Sequence, residues 1–448
     1  MNLFSVIRAR IHNAHPDHHA IARGMAWVIL FVFLGKLAGA AKEMAIAYRY
    51  GVSEDVDAYL FVLNLVSWPV GVWFSLLTVV LVPLAARIRH NTSVDLPSFR
   101  SELLGLTLLL GMGLMLFAWL GLPLLLRSPW TGLPPASVAI ATNMVSGLAL
   151  LAPLGVLISL FSAWMLSAGR HANTLLEGVP ALVLLVAILS FPGGGAEPLV
   201  WGTVAGFAFH LVSLAVPLAR RGEIEAPRFS RRSSQWPAFW QGFGIMLVGQ
   251  ALMSFIGIID QFFAAHLATG AIATLSYANR ILALILGIGA TAITRATLPV
   301  FSRAQINGEG QLHRVATHWV RLLFVLGLFA LIIGWCLAPW AVKLLFERGA
   351  FTAQNSEVVT AVLRYGVVQL PFYFVGILFV SLLTSQSRYG IVTIIGMINL
   401  IVKVIANFLL VESMGVNGIM LATSVMLIVS TLLSGTVLYF DLSKGTKK

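Results

Sequence analysis

Nine charged side chains interrupt stretches of this sequence that are otherwise almost wholly apolar. They are Lys36, Lys42 and Glu43 in the first stretch, Glu177 in the fifth, Asp260 in the seventh, Arg280 and Arg295 in the eighth, Arg364 in the tenth and Lys403 in the eleventh. A charge held in hydrocarbon costs about 2.5–3.5 kcal/mol on insertion scales, so a retained one faces a cavity or a partner. Six of the nine are cationic, and the chemistry such a set serves is anion binding: a guanidinium donates two hydrogen bonds to a phosphate, and an ammonium supplies a compact charge. At a rise of 1.5 Å per residue, Arg280 and Arg364 lie on the order of 14 Å from the outer ends of their helices. Lys36 and Lys42 fall at a similar depth, so the four are expected to converge on one anion. Lys36, Gly39 and Glu43 share a helix face, and Lys42 points about 120° away. One lysine is therefore expected to pair, with Lys42 reaching Glu43 or Asp57, while the other stays available. For each charge the alternative is an internal salt bridge or a stem that snorkels to the interface.

Enzyme motifs do not occur. The sequence holds no His-Glu-x-x-His and no glycine loop ending in Lys-Ser or Lys-Thr. The pairs Gly111/Gly113 and Gly287/Gly289 lie within apolar runs and read as helix-packing positions. Cys336 is the only cysteine, which rules out an intramolecular disulfide or a cysteine metal cluster. No cofactor or metal is expected, the protein is not expected to be an enzyme, and any transport must draw on an ion gradient, the membrane potential or the substrate gradient.

The elements that position these residues are membrane helices. A chain of 448 residues with 58% hydrophobic and 10% charged side chains and a mean hydropathy of +0.91 is a membrane protein. Its net charge of +12 needs no nucleic acid, because cytoplasmic loops collect Lys and Arg. Apolar runs place spans near 22–49, 59–86, 101–126, 136–168, 173–192 and 197–220, then near 236–268, 271–302, 318–346, 355–386, 389–412 and 415–440. Lys36 and the continuation of the first run to Tyr50 argue against a cleaved signal peptide. Between the sixth and seventh spans lies a basic linker with Arg220, Arg221, Arg228, Arg231 and Arg232. With both termini in the cytoplasm, most Lys and Arg fall inside and the outer loops are short. The halves resemble each other: Pro83 to Arg87 matches Pro299 to Arg303 at an offset of 216, which also superposes Gly71 on Gly287. The expected fold is an all-α polytopic membrane protein of about twelve transmembrane helices. These form two parallel six-helix repeats, an N-lobe over 1–220 and a C-lobe over 236–448, joined by a cytoplasmic linker over 221–235 around a central cavity.

Several motifs resemble the MurJ (MviN) family of lipid II flippases, within the superfamily of multidrug, oligosaccharidyl-lipid and polysaccharide exporters. Gly35 to Glu43 is similar to the family's first-helix Arg-x-x-Gly-x-x-Arg-Asp/Glu signature, with Lys36 and Lys42 at the arginine positions. Asp57-Ala58-Tyr59 resembles its Asp-Ala-Phe, Ser276-Tyr277-Ala278-Asn279-Arg280 its Tyr-Tyr-Ala-Asp-Arg, and Leu345 to Thr352 its Leu-Phe-x-x-Gly-x-Phe-Thr turn. The resemblance implies a substrate site formed by Lys36, Lys42, Arg280 and Arg364 with Asp57, Tyr277 and Asn279. Three departures stand out. The family's second-helix arginine pair and Glu-Gly are replaced by Pro69 to Val72 and Ser75; its acid before the eighth-helix arginine is Asn279; and its two further helices have no counterpart after the twelfth span.

The function this implies is a flippase that moves a polyprenyl-pyrophosphate-linked saccharide, an exopolysaccharide unit or cell-wall precursor, from the inner to the outer leaflet of the bacterial cytoplasmic membrane by alternating access. Partners are the lipid-linked saccharide, the bilayer and possible polysaccharide-assembly proteins. Lipid II itself is the nearest alternative; a drug or organic-cation antiporter and a membrane polysaccharide polymerase or ligase are the others, disfavoured by the cationic cavity and the short outer loops. In members of the resembled family that bind sodium, the ligands are an acid of the seventh helix with Asn and Asp of the eleventh. Here the corresponding residues are Asp260, Asn399 and Lys403, so an ammonium is expected where the ion would sit, paired with Asp260 either as a fixed structural pair or as a proton-sensitive one.

Overall fold

In the computed structural model the described residues are 16–90, 96–170, 176–193, 195–306, 309–386 and 388–445. Among them the chain forms fifteen α-helices and no strand. The extreme ends of both termini lie outside these residues, as does the side chain of Arg295. In chain order the helices are α1 (Pro16–Tyr50), α2 (Glu54–Leu76), α3 (Val82–His90), α4 (Leu96–Leu126), α5 (Pro135–Leu148), α6 (Leu151–Ser167), α7 (Val179–Ser190) and α8 (Glu197–Ala219). They continue as α9 (Trp236–Ala265), α10 (Ala271–Ile306), α11 (Glu309–Phe346), α12 (Ala353–Val367), α13 (Leu370–Ser385), α14 (Tyr389–Met414) and α15 (Val416–Gly445). A π-helical turn, Leu77–Leu81, joins α2 to α3.

Each expected span coincides with one helix or one broken helix. Eight are long and apolar enough to cross a bilayer, and ten if each of two bent pairs counts as one crossing. The remaining two positions are held by α1, which carries Lys36, Lys42 and Glu43, and by the twelve-residue α7. The protein is thus an all-α, multi-pass membrane protein. The bends are 46° between α5 and α6 and 42° between α12 and α13. Pro153 and Pro371 stand in the first turns after these breaks, where a residue without an N–H leaves a carbonyl of the preceding turn unbonded and the helix axis swings.

The chain divides into two compact units. The first comprises Met1–Ala45, Trp73–Leu116 and Gly147–Gly242, and the second Ile46–Val72, Phe117–Ser146 and Phe243–Lys448. In the first, α7 packs on α8 and α8 on α6. In the second, α14 packs on α15, while α11 packs on both α12 and α13.

Within the first unit the basic linker is not a loose loop. Glu102 in the first turns of α4 is 3% exposed, and its carboxylate accepts hydrogen bonds from the Ser230 hydroxyl (2.5 Å), the Arg232 N–H (2.9 Å), the Ser233 N–H (3.1 Å) and the Trp236 indole (2.7 Å). The Arg228 N–H donates to the Ser101 carbonyl at 3.0 Å, and Gly105 lies so close to the Arg228 carbonyl that a Cβ there would overlap it. Glu223 pairs with Arg170 and lies 3.7 Å from Arg100. One carboxylate with four donors is costly to replace, since its loss strands buried N–H groups at about 1–3 kcal/mol. Glu102→Gln should therefore lower the melting temperature of the purified protein by several degrees; an unchanged melting curve would show that the strap contributes nothing.

Candidate functional site

The second unit contains a cavity of about 450 Å³ between α2, α9 and α10, with polar groups set in a largely apolar lining. From α2 come Asn64, Ser67, Trp68 and Gly71; from α9, Ser254, Asp260 and Gln261; and from α10, Ser276, Asn279 and Arg280. These residues follow the helical repeat: 64, 67, 68 and 71 form one stripe of α2, as 276, 279, 280 and 283 do of α10. Trp68 donates from its indole to the Ser254 hydroxyl at 2.9 Å, and its ring meets Phe255 edge-on at 5.2 Å, which fixes the α2 wall against α9. The lining offers amide, hydroxyl and guanidinium groups along with a single carboxylate, so it suits a polar, anionic guest.

Of the residues expected in the site, Asn279, Arg280 and Asp260 line this cavity. Tyr277 does not. It is 2% exposed, donates to the Gly51 carbonyl at 2.9 Å, and packs against Phe346 and Phe351 with ring centroids 5.0 and 5.3 Å away. Asp57 is 4% exposed and caps α10: its two oxygens accept the N–H groups of Gly270 at 2.6 Å and Ala273 at 2.7 Å. Those donors are among the orphan groups at a helix start, where a carboxylate also meets the positive end of the helix dipole. Gly270 itself takes φ +88°, a conformation that disfavours a side chain. Asp57 thus fixes where α10 begins, two turns before Arg280. Asp57→Ala should cost about 1–3 kcal/mol by stranding both donors, read as a drop in melting temperature, and should weaken export through misplacement of Arg280. Full export by a destabilised variant would show that α10 tolerates the loss.

Arg364 also lies apart from the cavity lining. Its Nε donates to the Trp335 carbonyl at 3.3 Å, and its guanidinium stands 5.5 Å from the Trp335 ring centre.

Behind the cavity, Asp260 meets Lys403. The ammonium is fully buried and spends its three donors on three oxygens: Asp260 Oδ1 at 2.8 Å, the Ile419 carbonyl at 2.8 Å and the Thr423 hydroxyl at 2.6 Å. Asn407 donates to the same Asp260 oxygen at 3.2 Å. Asn399 does not join this group and instead donates to Ser430 at 3.0 Å. The partners that the sequence reading missed, Asn407 and Thr423, carry a signal in hindsight: 399, 403 and 407 repeat at i+4 along α14, and 419 and 423 do so along α15.

In the first unit Lys42 pairs with Glu43 at 2.8 Å. Lys36 is exposed and near enough to Glu177 for their charges to interact. The approach is set by glycines: a Cβ on Gly178 would lie 3.0 Å from the Gly35 Cα, so α1 and the start of α7 meet almost backbone to backbone.

Comparison with known proteins agrees with this architecture. The probable lipid II flippase MurJ of Buchnera aphidicola subsp. Baizongia pistaciae (strain Bp) is 22% identical over 371 residues, covering 80% of this chain and 72% of the relative. That of Bdellovibrio bacteriovorus (strain ATCC 15356 / DSM 50701 / NCIMB 9529 / HD100) is 25% identical over 238 residues, covering 53% of this chain and 46% of the relative. The chain thus spans nearly three quarters of the first relative and less than half of the second. Among solved structures, a lipid II flippase MurJ in an inward closed conformation superposes with a TM-score of 0.80 at 16% identity, covering 92% of this chain and 87% of that one. An inward-facing multidrug resistance transporter of the MATE family superposes with a TM-score of 0.73, also at 16% identity, covering 92% and 96%. At such identities these superpositions show a shared fold. The sequence model described as lipid II flippase MurJ goes further, matching residues 46–445, and on that match the chain belongs to the lipid II flippase MurJ family.

Proposed function

We propose that this protein flips a polyprenyl-pyrophosphate-linked cell-wall precursor across the bacterial cytoplasmic membrane, with lipid II as the cargo. The observation that carries the reading is the family match over residues 46–445. The departures in the second helix and at Asn279 fit an exopolysaccharide unit, but the two sequence relatives named above, both probable lipid II flippases, favour the peptidoglycan precursor over it. The cavity supports an anionic headgroup, with the Arg280 guanidinium at its wall for the pyrophosphate and the amides and hydroxyls beside it suited to a saccharide. A cavity with a guanidinium at its wall disfavours the organic cations of a drug antiporter.

In this reading the lobes 1–220 and 236–448 alternate access while the linker 221–235 and both termini stay in the cytoplasm. Lys36, Lys42 and Arg364 add positive charge along the route. Expression in a strain depleted of its lipid II flippase tests the cargo. Growth should be rescued and lipid II should become accessible at the outer leaflet; rescue of an exopolysaccharide-export mutant without rescue of the depleted strain would reassign it. Orientation is tested separately in a Cys336→Ser background. Cysteine at Ala350 should react with an impermeant maleimide in intact cells, whereas cysteine at the exposed Ser234 should not. The reverse pattern would invert the map.

A further inference from the structure

We infer that the linker between α8 and α9 is a preformed docking strip for anionic phospholipid headgroups. The inference is independent of the cargo and rests on the orientation proposed above only for which leaflet supplies the lipid.

The linker's basic side chains face outward and its backbone is held from within. Of its two acids, both half-buried, Glu223 faces inward to Arg170 and Arg100 while Glu225 offsets one of the five arginines, and the buried Glu102 of α4 holds the chain from Ser230 to Trp236. The five linker arginines, Arg220, Arg221, Arg228, Arg231 and Arg232, are all exposed, and among the described residues none forms a salt bridge. Five like charges between residues 220 and 232 repel one another, and a free loop would splay them apart. Here the backbone is pinned through Ser101, Glu102 and the ion pairs of Glu223, so the cations are displayed without further ordering cost.

What covers the strip follows from its neighbours. Both ends run directly into apolar helices that cross the bilayer, α8 ending at Ala219 and α9 starting at Trp236. At the head of α9 the exposed Trp240 stacks on the buried Trp236 with ring centres 5.8 Å apart, which leaves one indole at the position such rings take at a membrane interface. Arg231 lies 5.7 Å from the Trp240 ring centre, which places a guanidinium at that level. Phe229, set among the arginines, is 69% exposed, an apolar side chain in a charged segment that no described residue covers. Cations, an exposed aromatic and the adjacent exposed Trp240 together match an anionic membrane surface, whereas an acidic protein or a nucleic acid would leave Phe229 unexplained.

The test uses the full chain in liposomes of equal parts phosphatidylglycerol and phosphatidylcholine. A fluorophore on Ser234→Cys, in the Cys336→Ser background, is quenched by the brominated form of one lipid or the other. Phosphatidylglycerol should be enriched beside the label, at about fivefold per arginine engaged. The preference should collapse toward unity in the triple variant Arg228→Gln, Arg231→Gln, Arg232→Gln and in high salt, while soluble glycerophosphate leaves it unchanged. The triple variant alters only exposed side chains, and an unchanged helical spectrum verifies its fold. Equal quenching by the two lipids, full preference in the triple variant, or displacement by polyglutamate but not by salt-free phosphatidylglycerol would each overturn the inference. Labelling of Ser234→Cys from outside intact cells would overturn the orientation while leaving the lipid preference to be read on its own.

Discussion

Replacing Lys403 with methionine should cripple the protein far more than replacing Lys403 and Asp260 together. The single change removes the ammonium from a site where its three hydrogen bonds are already satisfied and leaves Asp260 with only the Asn407 amide beside it. Breaking one side of a buried pair costs about 3–5 kcal/mol because a charge is stranded in low dielectric. Converting both, as Asp260→Asn with Lys403→Met, removes the stranded charge, and apolar or neutral replacements of a buried pair are often close to neutral. The order of stability should therefore be parent, then double variant, then either single variant, read by membrane level and melting temperature. A double variant no better than the worse single one would mean that the pair is not an energetic unit. The same geometry bears on coupling. The ammonium sits among a carboxylate, a carbonyl and a hydroxyl, an all-oxygen surrounding of the kind a monovalent metal ion takes, and it already fills the place. Export should accordingly be indifferent to exchanging sodium for potassium or choline, and a steep sodium dependence would count decisively against a resident lysine in that role.

How far this arrangement was legible in the sequence differs from residue to residue. The spans were readable because a bilayer imposes a length and a hydropathy that few other constraints can mimic. The Asp260–Lys403 contact was readable for a related reason: two opposite charges in apolar helices have few other ways to be satisfied. Asn399 was misplaced because both 399 and 407 lie one turn from Lys403, and one sequence does not reveal which side of a residue faces the neighbouring helix. Asp57 and Tyr277 looked like site residues because they are polar and belong to recognisable motifs, yet each is spent on backbone groups. A polar side chain near a chain reversal serves the backbone as readily as a ligand. The same holds for Glu102. It attracted no notice because it sits at a span end, where acids are ordinary, and its four donors come from residues about 130 positions away in sequence. The cavity wall from α2 was hidden for the opposite reason: Asn64, Ser67 and Trp68 are uncharged, and nothing in their types separates them from other interior polar residues.

Arg280→Ala and Lys36→Ala should each abolish or nearly abolish export while the protein reaches the membrane in normal amount. Arg280 stands exposed at the wall of the cavity, two turns from a helix start held by Asp57, so its guanidinium is delivered there by a fixed helix rather than by a loop. Lys36 is exposed in the first unit, within electrostatic range of Glu177 and beside the close crossing at Gly35 and Gly178. A charge-assisted hydrogen bond to a phosphate contributes about 1.5–3 kcal/mol, so losing one costs on the order of 10- to 100-fold in rate or apparent affinity. Conservative variants separate charge from shape. Lys36→Arg keeps the charge and extends the reach, and export should survive. Arg280→Lys keeps the charge and loses the paired N–H donors, and export should fall part of the way, because a phosphate held by two parallel bonds distinguishes guanidinium from ammonium. Lys42, already paired with Glu43 at 2.8 Å, should tolerate alanine better than Lys36 does, since its charge is committed to a neighbour. The measurement is lipid II exposure at the outer leaflet in a flippase-depleted strain, with membrane levels scored by immunoblot. Normal export by both alanine variants would remove these two cations from the substrate route and leave the cavity's amides and hydroxyls as the only groups there for a headgroup to meet.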